Sequence, residues 1–220
     1  ELCRTSQRMS PDPTGNFRLN ARIVKRSQAP CAAACAQLHA IQRFGAVVNL
    51  HIHDHAVVSD GALALDNGRL RFYPAPAPTT EELAALVEHL RRRIFKRMKA
   101  LGARPEATIA EMLSWPHSGF SLNAEVRIEA DDRPALERLL CYVLRPALSL
   151  KKLSYHPKES LVRYRPDKER LPRVLEWTPL AFIERFAAII PPPRKHLVRY
   201  YGALGPRSKL RGALTAATKS

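Results

Sequence analysis

The stretch AVVNLHIHDHAVVSDG, residues 46–61, has the pattern of a β-strand that ends in a turn. Successive side chains of a strand point to opposite faces, so His51, His53 and His55 share one face while apolar residues dominate the other. The apolar face would explain why the strand forms. Ser-Asp-Gly at residues 59–61 is a turn sequence that would end it.

Three imidazoles in a row indicate a candidate metal site. Neighbouring side chains on one strand face stand about 7 Å apart, and two such rings can converge on one ion at roughly 2 Å from each ring nitrogen. A straight strand does not easily aim all three at one ion. The alternative is a set of solvated histidines on an edge strand. We favour a site, because three histidines share one face of an otherwise apolar strand.

The charge indicates a polyanionic partner. The 220 residues include 36 Lys and Arg against 20 Asp and Glu, a net charge of +16. Such a field attracts polyanions, most commonly nucleic acid, although ribosomal, lipid-surface or RNA partners would fit the charge equally well. A hydrophobic content of 45% fits a globular protein with a core. No apolar run approaches the roughly 20 residues of a membrane span, and no signal peptide is visible.

The four cysteines do not form a complete zinc-binding pattern, because no second closely spaced pair follows the first. We therefore expect reduced thiols, as in a cytosolic protein. The cysteines are Cys3, Cys31, Cys35 and Cys141.

Local patterns predict three regions: a poorly ordered lead-in at 1–40, a main domain at 41–205 and a loose basic tail at 206–220. The predicted elements begin with a helix at 32–42, a hairpin around Asp66-Asn67-Gly68, and a helix that is capped by Thr79 and Glu82 and stops at Gly102. A strand at 120–129 and a helix started by Asp132 and Pro134 follow. The last predicted elements are paired strands at 161–165 and 173–177, a helix from Thr178-Pro179 to residue 190, and a strand at 196–201. The last helix is expected to be buried through Leu180, Phe182, Ile183, Phe186 and Ile190.

Two groups of basic residues lie on predicted helices. Arg91, Arg92 and Lys96 belong to a crowded basic stretch, which forms either a solvated face or a surface for phosphates. Arg138 and Arg145 flank Tyr142 in a later part of the sequence.

Tyr142 lies off the apolar stripe of its predicted helix. At about 100° per residue, it points well over 90° from the centre of the stripe, on the side of Arg138 and Arg145. A tyrosine outside the core and between two arginines can face a phosphate. The alternative is a surface tyrosine whose ring packs on the arginine side chains.

Four blocks of sequence together resemble a known family. RFGAVVNLHIHDHAVVSDG, GFSLNAEVRI, ERLLCYVLRPALS and PPPRKHLVRYYGALGP occur in that order. They resemble the catalytic domain of the rolling-circle insertion-sequence transposases, which are tyrosine HUH nucleases (His-hydrophobe-His), over residues 42–213. The resemblance implies an α+β fold in which helices flank an antiparallel sheet. It also implies a pair of histidines on a central strand that bind a divalent metal, Mg²⁺ or Mn²⁺.

The resemblance assigns the metal-binding pair to His53 and His55, with His51 as the third ligand or an alternative partner. Asp54 stands where the family has a hydrophobe. Pairing His51 with His53 would restore the hydrophobe, Ile52, but would shift the alignment by two residues.

The same resemblance assigns the nucleophile to Tyr142. Members with two tyrosines carry the second one four residues later, where this chain has Pro146, so the chain resembles a single-tyrosine version. The cysteine-rich zinc module of the family is not recognisable in residues 1–40, which would fit a truncated, inactive copy.

The implied activity is DNA transposition in the bacterial cytoplasm. The enzyme would nick and join single-stranded DNA through a 5′-phosphotyrosine intermediate, with the DNA bound by Arg138, Arg145, Arg91, Arg92 and Lys96. One alternative is a histidine-triad nucleotide hydrolase or transferase, whose His-x-His-x-His motif the string HIHDH also resembles. In that class a histidine attacks the nucleotide phosphate without a metal. The other is a non-catalytic nucleic-acid-binding remnant. The charge and the three downstream blocks favour the transposase.

Overall fold

The computed structural model describes residues 22–166 and 174–217, and these form helices and antiparallel sheets. The α+β prediction is therefore confirmed. In chain order the elements are α1 (residues 22–26), β1 (Ala36–Phe44), β2 (Leu50–Val58), β3 (Gly61–Asp66), β4 (Arg69–Pro74), α2 (Thr80–Ala100), α3 (Glu106–Ser114), α4 (Arg133–Val143), a 3₁₀ turn (Leu150–Lys152), β5 (Leu153–His156), β6 (Leu161–Tyr164), β7 (Leu175–Trp177), α5 (Pro179–Ile189), β8 (Val198–Gly202) and α6 (Arg211–Ala217).

The chain divides into two compact units. The first unit contains the described residues up to Gln37, together with Val58–Arg127 and the described residues from Tyr201 onward. The second unit contains Leu38–Val57 and the described residues of Ile128–Tyr200. Neither unit is one continuous segment of the chain.

The first unit contains the predicted hairpin. β3 and β4 pair antiparallel, and Asp66 and Arg69 face each other at its end. Asn67 and Gly68 both have positive φ, at 49° and 78°, as a tight two-residue hairpin turn requires.

The capped helix of the first unit is also confirmed. The Thr79 side chain accepts a hydrogen bond from Glu82 N, and the Glu82 side chain accepts one from Thr79 N. This reciprocal pair satisfies two N–H groups that the helix itself leaves free. α2 ends at its C-cap Leu101, and Gly102 follows with φ +60°.

The lead-in and the tail are more ordered than predicted where they are described. Cys35 O accepts a hydrogen bond from Ala203 N at 2.8 Å, which joins two distant segments within the first unit. Residues 211–217 form α6, which packs against β4, so the prediction of a loose tail is wrong there. Residues 22–40 include α1 and the start of β1; residues 1–21 lie outside the described residues.

In the second unit, β1 lies between β2 and β8 in a three-stranded sheet. The prediction of a helix at 32–42 is wrong. The residues Ala, Gln and Leu of this segment favour helices, but pairing on both sides overrides such weak local preferences. The connection from β1 to β2 spans only residues 45–49, which permits an antiparallel pair and no crossover.

β2 lies at the end of this sheet among the described strands, and not at its centre as the resemblance implied. Its apolar face is open, since Leu50 is 49% exposed and Ile52 is 63% exposed. The face with His53 and His55 is the partly buried one. Burial of the apolar face therefore does not explain why this strand forms.

The second sheet of this unit has the order β5-β6-β7, and both pairs are antiparallel. Val162 faces Trp177, which confirms the predicted pairing of two strands; Arg173 lies outside the described residues. β5 was not predicted. Tyr164 contributes to a small core with Val48 and Ile189, bordered by Phe44, Leu153, Trp177 and Phe182.

Two further predictions need correction. α5 packs against β6 and β7, and Ile189 is its buried residue, while most of the predicted core positions on it are exposed. The predicted positions that are exposed are Leu180, Ile183, Phe186 and Ile190. Residues 120–129 form no strand, because a strand needs a hydrogen-bonded neighbour and none of the described strands pairs with them.

α4 begins as predicted, with the Asp132 side chain accepting a hydrogen bond from Ala135 N and Pro134 in the first turn.

Cys31, Cys35 and Cys141 form no disulfide with one another. Within residues 22–166 and 174–217, no helix is long and apolar enough to cross a membrane.

Candidate functional site

The candidate site lies in the second unit, where β2 holds three imidazoles in a row. The ring centroids of His51 and His53 are 5.1 Å apart, and those of His53 and His55 are 4.9 Å apart. His53 Nδ1 lies 3.1 Å from His51 O. If this nitrogen carries the proton, it donates to the carbonyl, and Nε2 of His53 keeps a free lone pair.

His55 has the chemical character of a metal ligand. Its Nε2 is buried, and no group among the described residues forms a hydrogen bond with it. Burial lowers the pKa of His55, and the charges of His53 and Arg145 lower it further, while Asp54 acts in the opposite direction. The neutral imidazole is thereby favoured, and that form binds divalent metals.

The residues fit a two-histidine donor set better than a complete protein cage. His53 and His55 are adjacent, and His55 has an unused ring nitrogen. Across the described part of the chain, no group of three His, Cys, Asp or Glu side chains is arranged to hold one metal ion. The role of His51 as a third ligand stays a prediction.

Tyr142, the predicted nucleophile, contacts this row of histidines. Its ring meets the ring of His55 edge to face, with the centroids 5.5 Å apart and the planes at 76°. The tyrosine is half exposed, at 50%, so part of the residue is open to solvent. The structure thus brings together a histidine and a tyrosine that are 87 residues apart in the chain.

Arg145 completes the contact. Its guanidinium carbon lies 4.8 Å from the centroid of the Tyr142 ring and 5.7 Å from that of Phe44. A guanidinium over an aromatic face is an attractive arrangement and keeps the cation close to the tyrosine. Phe44 was not predicted to belong to the site. Arg138 is exposed on the same helix as Tyr142.

β1 contacts α4, the helix that carries Tyr142, through Gln42, a residue that the sequence patterns do not predict to belong to the site. Gln42 is 4% exposed, and its Nε2 donates a hydrogen bond of 2.7 Å to Val143 O. Val143 is the last residue of α4 and directly follows Tyr142. No sequence signal identifies Gln42, because the local pattern of its segment predicts a helix and does not show contacts across a sheet.

The structure also explains the aspartate between the two histidines. Asp54 Oδ2 lies 2.6 Å from Nδ1 of His39, a buried residue on the neighbouring strand β1. The carboxylate therefore has a partner where the resembled family has a hydrophobe. His39 was missed for the same reason as Gln42. An aspartate in an apolar pattern was the available signal that a partner should exist.

Arg91 is one of the predicted DNA-binding residues, and it is engaged inside the first unit. Its side chain is 9% exposed. The guanidinium donates to the Glu88 carboxylate, to Leu113 O and Trp115 O, and to Ser118 Oγ. These bonds tie α2 to the segment that follows α3, so we do not retain Arg91 in the proposed DNA-binding surface.

Arg92 and Lys96 lie on the exposed side of α2. Arg92 is paired with Glu88, yet its side chain is 74% exposed. Hydrogen bonds from Arg91 and Arg92 lower the pKa of Glu88 to about 2. Both exposed cations remain available to phosphates, and their role in DNA binding stays a prediction.

The chain was compared with known proteins. No curated protein and no solved structure matches it significantly. Residues 37–211 match the model of the family described as "Putative transposase", a span that includes the histidine row, Tyr142 and Arg145. Because this match covers most of the chain, the protein belongs to that transposase family.

Proposed function

We propose that this transposase is a single-tyrosine HUH nuclease that nicks and rejoins single-stranded DNA. Membership of the family makes the protein a DNA-processing enzyme of transposition. The observation that carries the finer proposal is the contact of Tyr142 with both His55 and Arg145. In one cluster, a tyrosine can act as the nucleophile of a phosphodiester transfer, while candidate metal ligands and an arginine can support the charge on the phosphate.

Tyr142 is the proposed nucleophile. A phenol is weakly nucleophilic at neutral pH, so the hydroxyl of Tyr142 must give up its proton to solvent on attack, and the Arg145 cation lies beside its ring. The phenolate oxygen forms a bond to the scissile phosphorus, and the bond from phosphorus to the 3′ oxygen breaks. The leaving oxygen takes up a proton from solvent. The products are a 5′-phosphotyrosine and a DNA end with a free 3′-OH.

The reverse step joins strands. The 3′-OH of a DNA strand attacks the phosphotyrosine, forms a new phosphodiester and releases Tyr142 with its proton. One bond of similar energy replaces another, so no ATP is needed. Arg145 lies beside the tyrosine ring and would stabilise negative charge on the phosphate oxygens in both directions.

His53 and His55 would hold a divalent ion, Mg²⁺ or Mn²⁺, with His51 as an additional ligand. When bound, such an ion polarises the scissile phosphate. The fit rests on the adjacent rings and on the unused Nε2 of His55. The remaining ligand positions are expected to be taken by oxygens of water and of DNA.

The partner proposed here is single-stranded DNA in the bacterial cytoplasm. A net charge of +16 supports binding along the phosphate backbone. Arg138, Arg145, Arg92 and Lys96 are exposed and supply cations for such contacts. An exposed Tyr142 can also reach an unpaired strand, which is not constrained by a complementary partner.

The direct test is the formation of a covalent adduct. The protein is incubated with Mn²⁺ and single strands of random sequence that are labelled at the 3′ end, because the tyrosine bonds to the 5′ end of the released fragment. We expect a labelled protein band that is lost in Tyr142→Phe. Tyr155→Phe is the matched control, because Tyr155 is exposed in the same unit but lies on β5.

Peptide mapping of the adduct distinguishes the alternatives. A label on Tyr142 supports the proposal, whereas a label on another tyrosine overturns it. A label on one of the histidines of β2 would favour the nucleotide hydrolase or transferase. A protein that binds DNA without any adduct would fit the non-catalytic remnant.

A further inference from the structure

An open pocket lies beside Tyr142 in the second unit. Arg145 lines this pocket and also lies over the Tyr142 ring, so one side chain joins the pocket to the proposed nucleophile. The pocket is lined by Phe44, Gly45, Ala46, Arg145, Ala147 and Tyr164. The function proposed above gives this pocket no role.

The lining has the chemistry of a nucleobase site. Phe44 offers an aromatic ring, and Arg145 offers a planar guanidinium 5.7 Å from its centroid. Bases of single-stranded nucleic acids stack on aromatic rings and on arginine planes. Ala46 and Ala147 are small and leave room for a flat ring to enter from solvent.

Two walls of the pocket are held by core packing and by a tight connection. Tyr164 is 9% exposed and packs in the small core with Val48 and Ile189. Gly45 begins the tight connection between β1 and β2, where Gly45 N donates to Asn49 O. A Cβ at Gly45 would collide with Asn49 Oδ1, so a larger residue there would displace the Asn49 side chain. A preformed pocket loses little conformational entropy when it binds a base.

We propose that this pocket binds one unpaired nucleobase of the DNA strand that Tyr142 cleaves, on a nucleotide next to the scissile phosphate. The base stacks against Phe44 and Arg145, while Arg145 also lies against the attacking tyrosine. Base and phosphate are thereby placed together, and the pocket selects where the strand is cut. This inference rests on the proposed function, because it assumes that Tyr142 acts on single-stranded DNA.

The first test uses NMR on protein labelled with ¹³C at alanine methyl groups, without metal. Ala46 and Ala147 report on the pocket directly. Each of the four deoxynucleoside 5′-monophosphates is added, and 2-deoxyribose 5-phosphate serves as the probe that lacks a base. We expect ring-current shifts of both methyl signals with at least one nucleotide and none with the sugar phosphate. Equal shifts with the sugar phosphate, or no shift with any nucleotide at millimolar concentration, would overturn the proposal.

The second test fills the pocket. Ala46→Phe is expected to weaken binding of a single-stranded oligonucleotide roughly tenfold, the typical effect of losing one stacked base. The Ala147 methyl signal confirms that the variant is folded. Ala187→Phe is the matched control, because Ala187 is exposed on α5 outside the pocket. Unchanged binding in a folded Ala46→Phe variant would contradict the proposal.

Neither test requires cleavage. A protein that shifts its alanine signals but forms no adduct would retain the base pocket and lose the proposed nicking function. A protein that forms the Tyr142 adduct but shows no shift would retain the function and lose the pocket.

Discussion

Asp54 illustrates how one residue can fit a strand that is otherwise apolar. Its carboxylate meets His39 at 2.6 Å, and His39 is buried on β1. A buried polar group costs free energy when its hydrogen bond is lost, which is more than the bond itself adds to stability. The pair therefore holds the histidine strand to its neighbour at the level of His53 and His55.

We expect Asp54→Leu to lower the free energy of unfolding by about 1–3 kcal/mol, because His39 loses this hydrogen bond in a buried position. Asp54→Asn should cost less, since the amide oxygen can still accept. Chemical denaturation of the three proteins measures the difference. If Asp54→Leu is as stable as the unchanged protein, the pair contributes nothing to the fold.

The lowered pKa of His55 predicts a pH dependence of stability. In the unfolded chain, histidine takes up a proton near pH 6.5. Folded His55 takes it up only at lower pH, so between these values the unfolded state binds more protons and gains stability relative to the folded state. The free energy of unfolding should therefore fall as the pH drops below about 6.5.

The comparison is between the unchanged protein and His55→Gln, both with a chelator, by urea unfolding at neutral and mildly acidic pH. The unchanged protein should lose more stability on acidification than the variant, because glutamine does not titrate. The same loss in both proteins would show that His55 is not the residue responsible.

At the scale of elements, β1 is the strand on which the site depends. It supplies His39 to the histidine strand and Gln42 to the helix that carries Tyr142. Gln42→Met keeps the length of the side chain but removes the donor to Val143 O. We expect a loss of about 1–3 kcal/mol in stability and slower adduct formation, with oligonucleotide affinity nearly unchanged.

Thermal or chemical unfolding and the adduct assay together check this prediction. Gln42→Glu is a useful comparison, because an ionised carboxylate keeps the shape of the side chain but cannot donate to Val143 O. Normal adduct formation in Gln42→Met would mean that the hydrogen bond does not position Tyr142.

The same elements show what the sequence could predict. The hairpin at Asn67 and Gly68, the capping box of Thr79 and Glu82, and the start of α4 were predicted, because their signals lie within a few residues. The local pattern of β1 predicts a helix. This prediction fails because the strand conformation depends on partners that include β8, far along the chain. The exposure of α5 was missed because a local pattern does not say how much surface a neighbour covers.

For the site, the sequence predicted the residue types but not their support. Alternation placed the three histidines on one face, and helical periodicity placed Tyr142 off the apolar stripe. The contact between His55 and Tyr142, by contrast, needs the packing of α4 against β2. Phe44, Gln42 and His39 gave no local signal, because their roles exist only across the sheet.

At the scale of the whole molecule, the charge predicts how DNA binding responds to salt. Each phosphate contact to a single strand adds about 0.7 to the slope of log affinity against log salt concentration. We expect the affinity for DNA to fall steeply as the salt concentration rises. Lys96→Gln should reduce this slope by the contribution of one phosphate contact, about 0.7. Fluorescence anisotropy over a range of NaCl concentrations measures both. A slope near zero would exclude binding through phosphates.

Arg91 provides the contrast for this experiment. Its guanidinium is engaged with Glu88 and with backbone carbonyls, so Arg91→Gln should lower the melting temperature and leave the salt slope nearly unchanged. A reduced slope without a loss of stability would return Arg91 to the DNA-binding surface.

The division of the chain into interleaved segments has a consequence for its synthesis. As the ribosome extends the chain, the second unit has all its residues once Tyr200 has been added. The first unit is still incomplete at that moment, because the amide of Ala203 that pairs with Cys35 O has not yet been made. Cys35 is among the first of the described residues to be made, and its backbone pairing must wait for one of the last.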